Sequence, residues 1–171
     1  MRHTLLALAV LVLGFAGHAW AADPDRGDRK FVEKAAIGGM MEVELGRHAS
    51  EHASSPAVRA FGQRMVTDHS KANAELTTIA KQEGIPVPTA MDEKHRKEIS
   101  KLTEKRGMDF DEAYMKQMVK DHETDVDEFR DEAKEGKTEI DRFAAKTLPT
   151  LESHLTQAKT VNESLKKHAS R

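Results

Sequence analysis

A chain of 171 residues, 38% hydrophobic and 33% charged, is long enough to bury one real core and too short for two ordinary domains. Its formal net charge of -2 is spread over mixed-sign stretches without a basic block, which gives nucleic acid no footing, and the absence of cysteine excludes disulfides and thiolate chemistry. One tryptophan, one tyrosine and six phenylalanines among abundant Ala, Glu, Lys and Leu favour helices packed through aliphatic seams over sheets.

The first residues have the form of a signal peptide. Arg2 and His3 precede an apolar run from Leu5 to Phe15 that is too short to span a bilayer. Ala19 and Ala21 supply the small residues of a cleavage site. A cut after Ala21 divides the chain into a leader, 1–21, and a mature helical domain, 22–171, exported to a periplasm or beyond, with no membrane span left in it.

After a polar lead the first helix is expected from about Arg29 to Ala53, with a seam of Phe31, Ala35, Gly38, Glu42, Leu45 and Ala49. That seam puts Glu42 at the centre of an apolar face. The pair Gly38-Gly39 weakens a helix intrinsically and so reads as a point of close approach. On the outer side, Glu44, His48 and His52 follow at i, i+4 spacing, which allows surface chelation but more often marks a solvated face. Ser55 as N-cap and Pro56 at the first position open a second helix that runs to about Glu83 and stops at Gly84.

The second helix carries the string MVTDH, Met65 to His69, and the third long helix repeats it as MVKDH, Met118 to His122. Between them lie the extended link Ile85 to Pro88 and a short charged helix from about Met91 to Lys105, ended by Gly107. A connection of that length suits a crossover returning along the bundle, so the two MV-x-DH helices are expected to run parallel with their Asp-His pairs at one level. The third long helix spans about Asp109 to Glu135 and the fourth begins near Lys137. Pro149 stands inside this last helix about one turn before His154, where it should introduce a kink. The whole is all-α: four long helices with a short additional one in the crossover between helices 2 and 3.

Five polar residues fall on apolar stripes at a common height: Glu42, Asp68, His69, His122 and His154. Burying them unpaired costs several kcal/mol per ion, so they must at least satisfy one another. Two readings follow. In one, the five hold a transition metal in mid-bundle, with carboxylate and imidazole suited to iron, manganese or zinc, and the Met65-His69 and Met118-His122 pairs offering the softer set that copper takes. In the other, they form a closed network that sets helix register.

The stretches FVEKAAIGGMMEVELG, SSPAVRAFGQRMVTDHSKANAEL, FDEAYMKQMVKDHE and FAAKTLPTLESHLTQA together resemble the bacterial envelope family known as domain of unknown function 4142, over nearly the whole mature chain. The resemblance implies a ferritin-like four-helix bundle in exported proteins without an established reaction. The di-iron pattern of ferritin-like carboxylate proteins needs a Glu-x-x-His on each of two helices, and this chain contains none. No serine or other nucleophile stands beside these histidines in a recognisable catalytic motif, so a non-enzymatic role is favoured. The functional expectation is an exported bundle that binds a transition metal, with a structural or interaction module of the envelope, its protein partner unidentified, as the alternative.

Overall fold

A computed structural model describes residues 26–169, with side chains as far as Lys167. The leader expected over 1–21 and its cleavage site lie outside the described residues. Five helices follow in order: α1 (Arg26–His52), α2 (Pro56–Gln82), α3 (Glu93–Thr103), α4 (Gly107–Ala133) and α5 (Glu139–Ala169). No strand occurs among the described residues. The helix ends fall within a few residues of those expected from the seams. Gly107, expected to close α3, instead opens α4 with φ +61, while α3 ends at Thr103.

Helices α1 and α2 form one hairpin and α4 and α5 the other; α1 packs beside α4, α2 beside α5, and α3 lies across α1 and α4. The N-terminal turn of α4 sits against the α1–α2 turn, where Asp111 accepts hydrogen bonds from the backbone N–H of Ser54 (3.0 Å) and Ser55 (2.6 Å). Helices α2 and α4 therefore start at the same end and run parallel, joined by the crossover that contains α3. This is a ferritin-like bundle.

Ser55 occupies the N-cap position of α2, but its hydroxyl makes no capping bond. The carboxylate of Asp111 does the capping from another helix, and Arg59 Nη1 donates to the carbonyls of Ala53 (2.6 Å) and Ser54 (2.9 Å). At the far end of α2, Gly84 takes φ +69 and Ile85 N–H reaches back to the Ala80 carbonyl at 2.7 Å, closing the helix with a buried Ile85. The start of α5 is a reciprocal box. Asp141 accepts from the N–H of Lys137 (2.6 Å) and Thr138 (2.9 Å), and Thr138 Oγ1 accepts from Asp141 N–H (3.1 Å). Helix α5 continues through Pro149 without a break.

The backbones of α1 and α2 meet closely at Gly46 and Gly62. A Cβ on Gly46 would stand 2.8 Å from the Gly62 carbonyl oxygen, and one on Gly62 would stand 2.6 Å from that of Gly46. The expected pair Gly38-Gly39 divides its roles: Gly39 packs tightly under the Asn73 side chain, whereas Gly38 faces open space.

The core has two apolar parts. One, around Leu45, Phe61, Met65, Tyr114, Met118 and Ala158, fills the end near the α1–α2 turn. The other, around Val32, Leu76, Val126, Phe129, Phe143 and Leu151, fills the opposite end. Along α2, α4 and α5 in turn, a single buried histidine separates the two: His69 between Met65 and Leu76, His122 between Met118 and Val126, His154 between Leu151 and Ala158.

Candidate metal centre

The polar layer between the two apolar parts is made by helix periodicity. One histidine on each of three seams replaces an aliphatic residue, and the parallel crossover brings the two MV-x-DH copies to one height. The rings meet. Ring centroids are 5.6 Å apart for His69 and His122, 5.4 Å for His69 and His154, and 5.4 Å for His122 and His154. Each residue offers one nitrogen, and these three lie within 4.8 Å of one another. Two nitrogens on one tetrahedral ion stand roughly 3.4 Å apart at bond lengths of about 2.0–2.1 Å, so rotamer adjustments of about 1.5 Å at most would close the set.

The tautomers of two rings follow from their partners. His122 Nδ1 lies 2.9 Å from the Met118 carbonyl, which can only accept, so Nδ1 carries the proton and Nε2 the lone pair. His154 Nε2 lies 2.8 Å from the Asp68 carboxylate, so by the same argument its lone pair is on Nδ1. Both lone-pair atoms, His122 Nε2 and His154 Nδ1, are buried without a hydrogen-bond partner, and so is His69 Nε2. Burial first, then the neighbouring rings, holds His69 well below the usual imidazole range. Burial also lowers His122, to about 4, with His154 adding to the effect and the Met118 carbonyl opposing it. His154 is lowered by burial against the pull of Asp68.

The two expected carboxylates stand behind the rings. Asp68 is partly exposed and is itself held by Arg64 Nε at 3.3 Å, while the same guanidinium donates to Gln157 (2.6 Å) and Ser153 (3.1 Å) on α5. Asp68 thus aims His154 and ties α2 to α5. Glu42 approaches the proton-bearing side of His122, with Oε1 3.8 Å from Nδ1, and its Oε2 is buried without a partner. Its carboxyl is pushed well above the usual range by burial, then by the charges of Asp125 and Asp121. The structure therefore brings His69, His122 and His154 together and places Glu42 and Asp68 outside that ring of nitrogens.

Two features had no place in the sequence reading of the site. Tyr114, the only tyrosine of the chain, is fully buried two turns before His122, and its hydroxyl has no hydrogen-bond partner. It recurs at i, i+4 with Phe110 and Met118 on the α4 seam, a spacing that marks it as inward but says nothing of its hydroxyl. Arg64 gave no signal beyond its distance of four residues from Asp68. On the surface, His48 leans on His52 at 4.5 Å and on Phe110 at 4.9 Å between centroids. A second group of close donors, Asp28, Glu132 and Asp141, lies near the start of α5, where Asp141 is already engaged as the capping residue.

The family model described as domain of unknown function (DUF4142) matches residues 14–161. The chain belongs to the DUF4142 family. Among solved structures, this DUF4142 chain is similar to a DUF305 fragment from Deinococcus radiodurans, with a TM-score of 0.72 and 12% identity over 84% of this chain and 99% of that one. It is also similar to a DUF305 protein from Streptomyces coelicolor described as secreted, with a TM-score of 0.69 and 13% identity over 81% of this chain and 92% of that one. At such identities the likeness concerns the fold. Among curated proteins none matches the DUF4142 sequence significantly.

Proposed function

We propose that this protein is an exported helical bundle that binds one first-row transition-metal ion on His69, His122 and His154. The observation that carries the reading is the set of three buried ring nitrogens, one on each of three helices, that lack hydrogen-bond partners. A closed structural network would pair such atoms with one another, because each unsatisfied buried acceptor costs about 1–3 kcal/mol. His122 Nε2 and His154 Nδ1 present lone pairs, His69 takes the matching tautomer when its Nε2 does the same, and a cation then satisfies all three at once.

The donor set selects among metals. Three neutral imidazoles without an oxygen or thiolate in the ring suit zinc and copper, then iron, ahead of manganese, which prefers oxygen. Three protein ligands leave a further coordination position open. Burial holds all three rings below the usual imidazole range, which favours the neutral form that a metal binds. Asp68 and the Met118 carbonyl act on the far nitrogens, fixing the ring orientation and raising ligand basicity. Export rests on the leader-like sequence over 1–21 together with the secreted description of a structural relative.

The test is metal content and uptake by the mature protein. Chelator-treated wild type should take up one equivalent of zinc or copper per chain, and His122→Ala should take up none while keeping its helical circular dichroism. A wild-type protein that retains none of iron, manganese, zinc or copper after dialysis would leave a structural or interaction module as the function.

A further inference from the structure

A groove of about 440 Å³ runs between α1, α3 and α4 on the side of the bundle away from α2 and α5. Its wall has an acidic excess, with seven carboxyl groups against three lysines and one histidine, although burial raises the carboxyls of Glu42 and Asp125. Some of that charge is engaged: Lys34 contacts Glu128, Asp92 lies 2.8 Å from His95, and Gln117 donates to both oxygens of Asp121 at 2.9 Å. The deepest lining residue is Glu42, only 2% exposed. Its Oε2 is buried with no hydrogen-bond partner, and its other oxygen lies 3.8 Å from the His122 ring. An acidic wall alone would be a solvated face. An unpartnered carboxylate oxygen at its base, one ring away from three unpartnered nitrogens, gives the groove a direction.

We propose that this groove is the route by which a hydrated divalent cation reaches the three-histidine centre, with Glu42 as the last carboxylate it meets; this rests on the three-histidine reading. The carboxylates of the groove do not form a close chelating group; among the described residues the close groups are the three histidines and Asp28, Glu132 and Asp141. The groove therefore gathers a cation and hands it on without trapping it. Single-sign charge in a cleft with low-dielectric walls raises the local concentration of counter-ions and their on-rate. Glu42 replaces part of the hydration shell as the ion leaves water, and the three imidazoles replace the rest.

The prediction concerns rate. Cobalt(II), whose visible absorption reports nitrogen coordination, is mixed rapidly with the mature apo protein. Neutralising the groove by Glu33→Gln with Glu98→Gln should slow association by roughly 5- to 10-fold at about 0.01 M salt, where screening reaches ~30 Å. The difference should vanish near 1 M salt, where it reaches only ~3 Å. Glu42→Gln should slow association further and persist at high salt, because that carboxylate acts by contact. All variants should end at the wild-type cobalt spectrum. Removing the same charge from the other face by Glu75→Gln with Glu163→Gln should leave the rate within about twofold. Uptake by the groove variants at the wild-type rate, or equal slowing by the opposite-face pair, overturns the route while leaving the centre intact. Absence of cobalt uptake by wild type overturns both.

Discussion

Asp68 and Asp125 show how similar residues on neighbouring seams acquire different work. Asp68 meets a histidine of another helix, and removing it takes away both the group that aims His154 and the anchor of Arg64. Loss of such an outer partner commonly lowers metal affinity about 10- to 100-fold. Asp68→Ala should therefore weaken zinc binding by about that factor in a calorimetric titration, with the stoichiometry unchanged; an unaltered affinity would show that the Asp68 contact does not serve the centre. Asp125 lies across the α4 face, where burial first, then the charges of Asp121 and Glu128, raises its carboxyl to about 7 against the pull of Lys34. The folded chain thus binds a proton that the unfolded chain, at 3.8, has released. The contribution of Asp125 to stability must fall as pH rises from about 4 to about 7, and level off above, by proton linkage. Asp125→Asn lacks that titrating carboxyl, so in urea melts it should gain on wild type steadily between pH 4 and pH 7. A difference independent of pH would remove Asp125 as the source.

The helices test how glycine is used. Gly38 and Gly62 both sit in long helices, where Gly costs about 1 kcal/mol relative to Ala. At Gly38 an added methyl meets nothing, so Gly38→Ala should stabilise by about 1 kcal/mol. At Gly62 the methyl would press into the α1 backbone at 2.6 Å, and backbone cannot swing aside as a side chain can. Gly62→Ala should destabilise by about 1–3 kcal/mol despite the better propensity. Chemical denaturation of the two variants checks both signs at once, and matching shifts would mean that the α1–α2 approach is not set at Gly46 and Gly62. The sequence drew the eye to Gly38-Gly39 because a doublet is conspicuous. The pair that governs the packing is split between two helices, and nothing local connects them.

The bundle as a whole was legible wherever the information is periodic. Seams at 3.6 residues located the four long helices, counting residues from the turns put Glu42 level with Asp68 and His69 and the two Asp-His pairs level with each other, and the seam of the last helix turned His154 inward. What periodicity cannot supply is rotation finer than a residue. In MVTDH either Asp68 or His69 could lead inward; the chain turns His69 into the core and leaves Asp68 against α5. Nor can it supply long-range caps: Ser55 reads as its own N-cap, yet the carboxylate that closes that end comes from Asp111, in a different hairpin. The same assembly defines the last prediction. The three histidines come from α2 in one hairpin and from α4 and α5 in the other, so a metal on them cross-links the two halves of the fold between its two apolar parts. A ligand that binds only the folded state adds RT ln(1 + [L]/Kd), about 2.7 kcal/mol at a hundredfold excess over Kd. For a domain of this size each kcal/mol moves Tm by about 2–4 °C, so saturating metal should raise the melting temperature of chelator-treated wild type by roughly 5–11 °C. His122→Leu replaces the ring with an aliphatic side chain at the same depth, and its melting temperature should not move with metal. Its own value without metal separates the remaining possibilities, since removing a lone-pair acceptor that has no partner costs the fold little, whereas breaking a closed network would destabilise it by several kcal/mol. An equal response of both proteins to iron, manganese, zinc and copper would remove the centre from the middle of the bundle.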